Sequence, residues 1–159
     1  MKTCKLLREQ VAAATGSKKA ELVLKNAQIV NVFTQSVETG DIAIEGGYIV
    51  GIGNYEGITE KDLGGAYVCP GFLDGHIHIE SSMTSPGEFE RAVVPHGTIA
   101  VITDPHEIAN VAGTAGIRFM MQSAQKLDLD VYFMLPSCVP ATDLDESGAE
   151  PLARDLEPF

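Results

Sequence analysis

His76 and His78 stand two residues apart at the end of a short apolar run, in the stretch Pro70-Gly71-Phe72-Leu73-Asp74-Gly75-His76-Ile77-His78-Ile79-Glu80-Ser81-Ser82. In an extended strand, residues i and i+2 point to the same face, so both imidazoles can aim at one point. Neutral imidazole is the commonest protein ligand for a metal ion. A divalent transition metal held by nitrogen donors and nearby carboxylates lowers the pKa of bound water and supplies hydroxide at neutral pH. That chemistry suits hydrolysis at a carbon bearing an amine or amide leaving group. A bare His-x-His pair is more often two satisfied or solvated histidines beside a turn, so the surrounding residues must shift the balance.

Those elements fall into three segments. Residues 1–19 form an N-terminal helical segment, with Leu6, Leu7 and Val11 at helical spacing over residues 3–14 and Gly16-Ser17 ending it. Residues 20–69 read as a small, β-sandwich-like antiparallel module. Its short runs are 21–25 and 28–33, separated by Asn26-Ala27, and then 41–45 and 48–52 around a Gly46-Gly47 turn. Gly51-Ile52-Gly53 lacks the third glycine and following helix of a dinucleotide loop. From residue 70 the pattern becomes strand–helix–strand–helix–strand, the signature of a parallel α/β fold. A first strand leads to His76 and His78. A helix over 86–94 follows, with Ser85 as N-cap and Pro86 in its first turn. Thr98–Thr103 reads as a strand buried on both faces, followed by a helix over 113–126 and a strand over 131–135. Three strands do not complete such a fold, since a barrel of this kind has eight strands and about 250 residues. The tail, 146–159, is polar and predicts no terminal strand or helix. The expected fold class is therefore α/β: a β-module followed by the first three βα units of an incomplete (β/α)8 barrel, in a truncated chain.

Active sites of parallel α/β folds lie at the C-terminal ends of the strands. The first strand is followed by His76, His78, Glu80, Ser81 and Ser82, the second by Asp104, Pro105, His106, Glu107 and Asn110, and the third by Pro136, Ser137, Cys138 and Pro140. Singly, each has an ordinary explanation: Asp104 as a helix cap, His106 and Glu107 as a solvated pair, Glu80 as a surface carboxylate. Together they gather chemistry at one end of three successive strands. His96 precedes the second strand, at the opposite end, and reads as structural or solvent-exposed.

Composition bounds the alternatives. The chain has 159 residues, 45% hydrophobic and 21% charged, which is globular composition. The net charge of −11, with Lys18-Lys19 as the one basic cluster, argues against nucleic acid as a partner. No window approaches the ~18 apolar residues of a membrane span. The first ten residues lack the apolar core of a secretory signal, so the expected compartment is the cytoplasm. Cys4, Cys69 and Cys138 are scattered and odd in number, fitting reduced thiols rather than a disulfide framework or a cysteine zinc site.

A β-module followed by PGFLDGHIHIE and βα units resembles the amidohydrolase superfamily of metal-dependent (β/α)8-barrel hydrolases. GHIHIESSM, VVPHGTIAVITDPHEIANVAG and MLPSCVPAT resemble the adenine deaminase family, as do ELVLKNAQIVNVF and DIAIEGGYIVGIG upstream. The likeness runs from about Glu21 to Gly148. It implies hydrolytic deamination of adenine to hypoxanthine and ammonia, at a dinuclear site of manganese (Mn2+) or iron (Fe2+). It further implies adenine as small-molecule substrate and a homo-oligomeric full-length enzyme. His76 and His78 carry over as metal ligands. The family's bridging glutamate, two further histidines, metal-binding aspartate and catalytic aspartate lie on strands four to eight and have no counterpart in this sequence. The chain alone is therefore expected to be inactive. Glu80 and Ser81 are candidates for hydrogen bonds to ring nitrogens or a metal-bound water. Asp104, His106 and Glu107 are candidates for lining the pocket or orienting ligands, and Ser137 for contacting substrate. The competing readings are a related cyclic amidase, which would share the His-x-His pair but not DPHEIAN or LPSCVPA, and a non-catalytic remnant or one half of a split enzyme.

Overall fold

The computed structural model describes residues 4–136, 139–140, 142, 144, 147–149 and 153–156. It divides into two compact units, Met1–Pro70 and Gly71–Phe159. Among the described residues no helix is long and apolar enough to cross a membrane.

The first unit contains helix α1 (Cys4–Ala14) and strands β1 (Ala20–Asn31), β2 (Ser36–Glu45), β3 (Tyr48–Gly53), β4 (Gly57–Asp62) and β5 (Tyr67–Val68). They form one five-stranded sheet, ordered β3-β2-β1-β4, with β5 also on β1. The expected antiparallel, sandwich-like module is thus a single mixed sheet. β1–β2 and β2–β3 are antiparallel, while β4 and β5 run parallel to β1. β4 escapes a sequence reading because five of its six residues are exposed, leaving no apolar alternation. The two short runs at 21–25 and 28–33 are one strand, β1, interrupted by a bulge between Leu24 and Ala27. A bulge shifts the side-chain alternation and leaves an amide without a ladder partner. Here Asp41 satisfies it, accepting from the Asn26 amide at 3.1 Å and pairing with the Lys25 ammonium. β1 stops at Asn31, whose Oδ1 accepts the amides of Phe33 and Thr34 in a tight turn. At the Gly46-Gly47 turn, Gly46 has φ +58°, and a Cβ there would lie 2.5 Å from the Leu6 side chain. The left-handed backbone conformation favours glycine, and the tip of the Leu6 side chain would have to shift to admit a Cβ.

Asp41 gives this unit a defined acid sensitivity. Burial alone pushes its carboxyl up, but the Lys25 ammonium and the amides of Asn26 and Tyr55 together outweigh it and hold the group below its ordinary value. A depressed folded-state pKa contributes stability that is complete above the unfolded value of about 3.9. That stability is lost as pH falls through the folded value. Asp41→Asn should therefore destabilise the chain at neutral pH, and the difference should shrink as pH falls below about 4. Urea midpoints of both proteins across that range measure it, and a difference independent of pH would contradict the assignment.

The second unit runs β6 (Phe72–Ile77), a 3-10 turn (Ile79–Ser82), α2 (Pro86–Val93), β7 (Thr98–Thr103), α3 (His106–Ser123), β8 (Asp130–Phe133) and α4 (Ala153–Leu156). The sheet is parallel throughout, ordered β6-β7-β8. Ile79, Phe89, Val101, Met120 and Leu129 form the core between this sheet and helices α2 and α3. In β7, Ala100, Val101 and Thr103 are buried while Ile99 and Ile102 are 50% and 40% exposed, so the strand is only partly buried where its composition predicts full burial. The helix expected over 113–126 begins at His106 instead, directly after Pro105. Gly113, at φ 58° and ψ −144°, breaks it into two helical stretches. Such a backbone conformation is open essentially to glycine alone, and it frees the Asn110 carbonyl to accept the amides of Gly148 and Ala149. The tail is not devoid of structure, since Ala153–Leu156 forms one helical turn. Leu156 packs on a cluster of Ala109, Ile117 and Val139, an isolated contact too short to show as periodicity.

Candidate metal centre

β6 delivers His76 at its end, and His78 follows in extended conformation (φ −107°, ψ 100°) as the residue that opens the 3-10 turn. Both rings turn the same way, with His76 Nε2 and His78 Nε2 3.3 Å apart. Two nitrogens bound at ~2.0–2.1 Å to a tetrahedral ion lie roughly 3.3–3.4 Å apart, so the pair is spaced for a shared metal. Asp74 Oδ1 accepts the His76 amide at 3.1 Å and fixes the backbone there. Sequence reasoning passed over Asp74, although an aspartate two residues before a histidine is a recognisable Asx-turn signal.

β7 brings the third donor. Asp104 follows its last residue, tied to β6 by a hydrogen bond from the Asp104 amide to the Ile77 carbonyl at 2.9 Å. Donor atoms of His76, His78 and Asp104 all lie within 4.8 Å of one another. Asp104 Oδ1 is buried and has no protein partner, a costly state for a carboxylate oxygen unless something binds there. Two imidazoles and a carboxylate therefore form a mixed N/O donor set that fits a divalent transition metal.

The remaining candidates surround this cluster in distinct ways. Glu80 Oε1 accepts the Ile108 amide at 3.2 Å, satisfying one of the free amides at the start of α3, while its Oε2 is buried and unpartnered. The Ser81 hydroxyl donates to Glu107 Oε1 at 2.6 Å. Glu107 Oε2 lies 3.1 Å from His78 Nδ1, at ion-pair distance but outside hydrogen-bond alignment. Burial alone would push the Glu107 carboxyl up. The Ser81 hydroxyl, its own backbone amide and the His78 and His106 rings outweigh that and hold it below the ordinary value. His106, the first residue of α3, stands edge-on to His78 with ring centroids 6.3 Å apart, beside the donor cluster rather than in it. Glu107 belongs to the same helical turn and not to a loop. Ser137 lies outside the described residues. Thr103 Oγ1, fully buried and without a protein partner, was not singled out from the sequence; nothing distinguishes it there from any strand threonine.

The strand ends of a parallel sheet thus carry a two-histidine, one-carboxylate donor set suited to a divalent metal. The amidohydrolase family model matches residues 67–159, and the chain belongs to that family, whose chemistry uses a divalent metal. Its sequence is 57% identical over 155 residues to adenine deaminase 2 of Carboxydothermus hydrogenoformans, covering 98% of this chain and 27% of the relative. It is 56% identical to adenine deaminase of Bacillus pumilus, covering 97% and 27%, and 57% identical to that of Geobacillus kaustophilus, covering 96% and 26%. The chain thus spans about a quarter of the length of these curated relatives. Among solved structures it resembles N-acyl-D-glutamate deacylase from Bordetella bronchiseptica, complexed with zinc and a phosphonate inhibitor. The TM-score is 0.57 at 17% identity, covering 88% of this chain and 34% of that one, a likeness of fold.

Proposed function

We propose that this chain supplies the part of an adenine deaminase's metal centre that lies on its first two barrel strands, in an enzyme that hydrolyses adenine to hypoxanthine and ammonia. The observation that carries the reading is the identity of 57% to a curated adenine deaminase over 98% of the chain, coupled to a His76–His78 pair spaced for one ion. In the net reaction, water forms a C–O bond at the amine-bearing ring carbon, the C–N bond breaks, and the nitrogen leaves as ammonia. A bound divalent metal supplies hydroxide at neutral pH. His76, His78 and Asp104 would hold it. We read the centre as dinuclear, of manganese or iron, which needs more donors than these three. Ser81 and Glu107 hold the His78 side of the site, and Glu80 fixes the start of α3. The substrate on this reading is the free base, in a cytoplasmic, homo-oligomeric enzyme. The net charge of −11 disfavours a polyanionic substrate.

The test is a chimera. Residues 1–149 replace the corresponding part of the Geobacillus kaustophilus relative, expressed with Mn2+ or Fe2+, and ammonia release from adenine is followed. The chimera should deaminate adenine, and the same chimera carrying His76→Ala and His78→Ala should not. The 159-residue chain alone should release no ammonia above that double variant. A folded, metal-loaded chimera that hydrolyses a cyclic amide but not adenine would overturn the reading.

A further inference from the structure

We propose that Glu107 is a positioning residue for His78, holding its imidazole in the Nδ1–H tautomer so that Nε2 presents its lone pair to the metal. The inference rests on the metal-centre reading above. A neutral imidazole carries one proton, and the nitrogen that bears it cannot ligate. Which nitrogen bears it is set by the partner of the other. At His78 the two nitrogens face different surroundings. Nε2 faces His76 Nε2 at 3.3 Å. Nδ1 is buried, and the Glu107 carboxylate 3.1 Å away is the acceptor that approaches it among the described residues. A carboxylate without its proton accepts and cannot donate, so the contact favours a proton on Nδ1.

Glu107 is itself held. Its other oxygen takes the Ser81 hydroxyl at 2.6 Å, and its backbone is fixed in the first turn of α3, whose Ile108 amide is anchored on Glu80. Ser81 and Glu80 follow His78 on the 3-10 turn, so that turn and the start of α3 are bound to each other by two carboxylates. An ordinary glutamate carboxyl is already anionic at neutral pH. The Nδ1 contact already lies at hydrogen-bonding distance, and contacts that are poorly aligned in an empty site tighten when the site is filled.

The tautomer can be read directly on the metal-free 159-residue chain. Histidine is labelled with 15N, two-bond nitrogen–proton correlations are recorded above the imidazole titration range, and the His78 signals are assigned by their loss in His78→Ala. The chain should show His78 as Nδ1–H. Glu107→Ala should move it to the Nε2–H form that free imidazole prefers in water. Glu107→Gln should keep Nδ1–H, because the amide oxygen still accepts. Ser81→Ala, which leaves Glu107 charged but unheld, should give an intermediate population. Titration with Co2+ alone should show a 10–100-fold weaker affinity in Glu107→Ala, the size of effect typical of partners behind a ligand. Glu107 is half-exposed, so its loss leaves the core intact. An Nε2–H tautomer in the unsubstituted chain, or no change in Glu107→Ala, overturns the proposal. A role confined to supporting α3 would leave the tautomer unmoved. Because the readout needs no substrate, an inactive chimera would count against the deaminase reading and leave this result standing.

Discussion

The double substitution His76→Ala/His78→Ala should abolish specific divalent-metal binding, with an apparent Mn2+ or Co2+ affinity at least ~100-fold weaker than that of the unsubstituted chain. Removing a single partner behind a ligand commonly costs 10–100-fold, and here two direct nitrogen donors go. Asp104 would remain as a lone carboxylate, no better than any of the other 21 acidic side chains. The fold should survive, because His76 is exposed and His78 partly so, and neither belongs to the core. Asp104→Asn should weaken binding less, by about tenfold, since the amide keeps one oxygen donor but loses the charge. Competition against a chelating dye, with circular dichroism as the control for folding, separates these cases. Equal affinity in the double variant would place the ion elsewhere on the acidic surface.

The donors at this site were legible for a simple reason. The two-residue period of a strand converts spacing into direction, so His76 and His78 could be aimed at one point before any coordinates. The convergence of Asp104 on the same point could not be read that way. It depends on β7 lying beside β6 in a register that ties the Asp104 amide to Ile77, and register is a property of two strands and not of one. Glu80 shows the same limit from the other side. Its type suits a pocket, but where its carboxylate goes is decided by the start of α3, 28 residues later. That start was itself obscured, because His106-Glu107-Ile108-Ala109-Asn110 carries the polar composition of a loop, and Gly113 interrupts the periodicity that would have extended the helix backward. In the first unit, the hairpin around Gly46-Gly47 was clear because turn chemistry and alternation agree. The parallel pairing of β4 was hidden because its exposed residues show no apolar alternation, and that of β5 because two residues are too few to show a period.

Ile79→Ala should cost the second unit about 2–5 kcal/mol, the range for emptying a fully buried aliphatic site, and should also loosen the metal centre. Ile79 is 0% exposed and packs with Phe89, Val101, Met120 and Leu129. It is also the residue between His78 and Glu80. The backbone bonds of its turn, Ser81 amide to His78 carbonyl at 3.1 Å and Met83 amide to Glu80 carbonyl at 2.8 Å, span it on both sides. The side chain that fills the core is therefore the same one that nails down the segment carrying a ligand, a helix anchor and a hydroxyl donor. Ile79→Val removes one methyl group and should cost roughly 0.5–1.5 kcal/mol, with metal affinity nearly unchanged, because the turn keeps its anchor. Urea unfolding gives the first quantity and Co2+ titration of the still-folded protein the second. If Ile79→Ala lost stability as expected but bound the metal as tightly as the unsubstituted chain, the turn would be held by its hydrogen bonds alone. Core packing would then not be coupled to ligand placement.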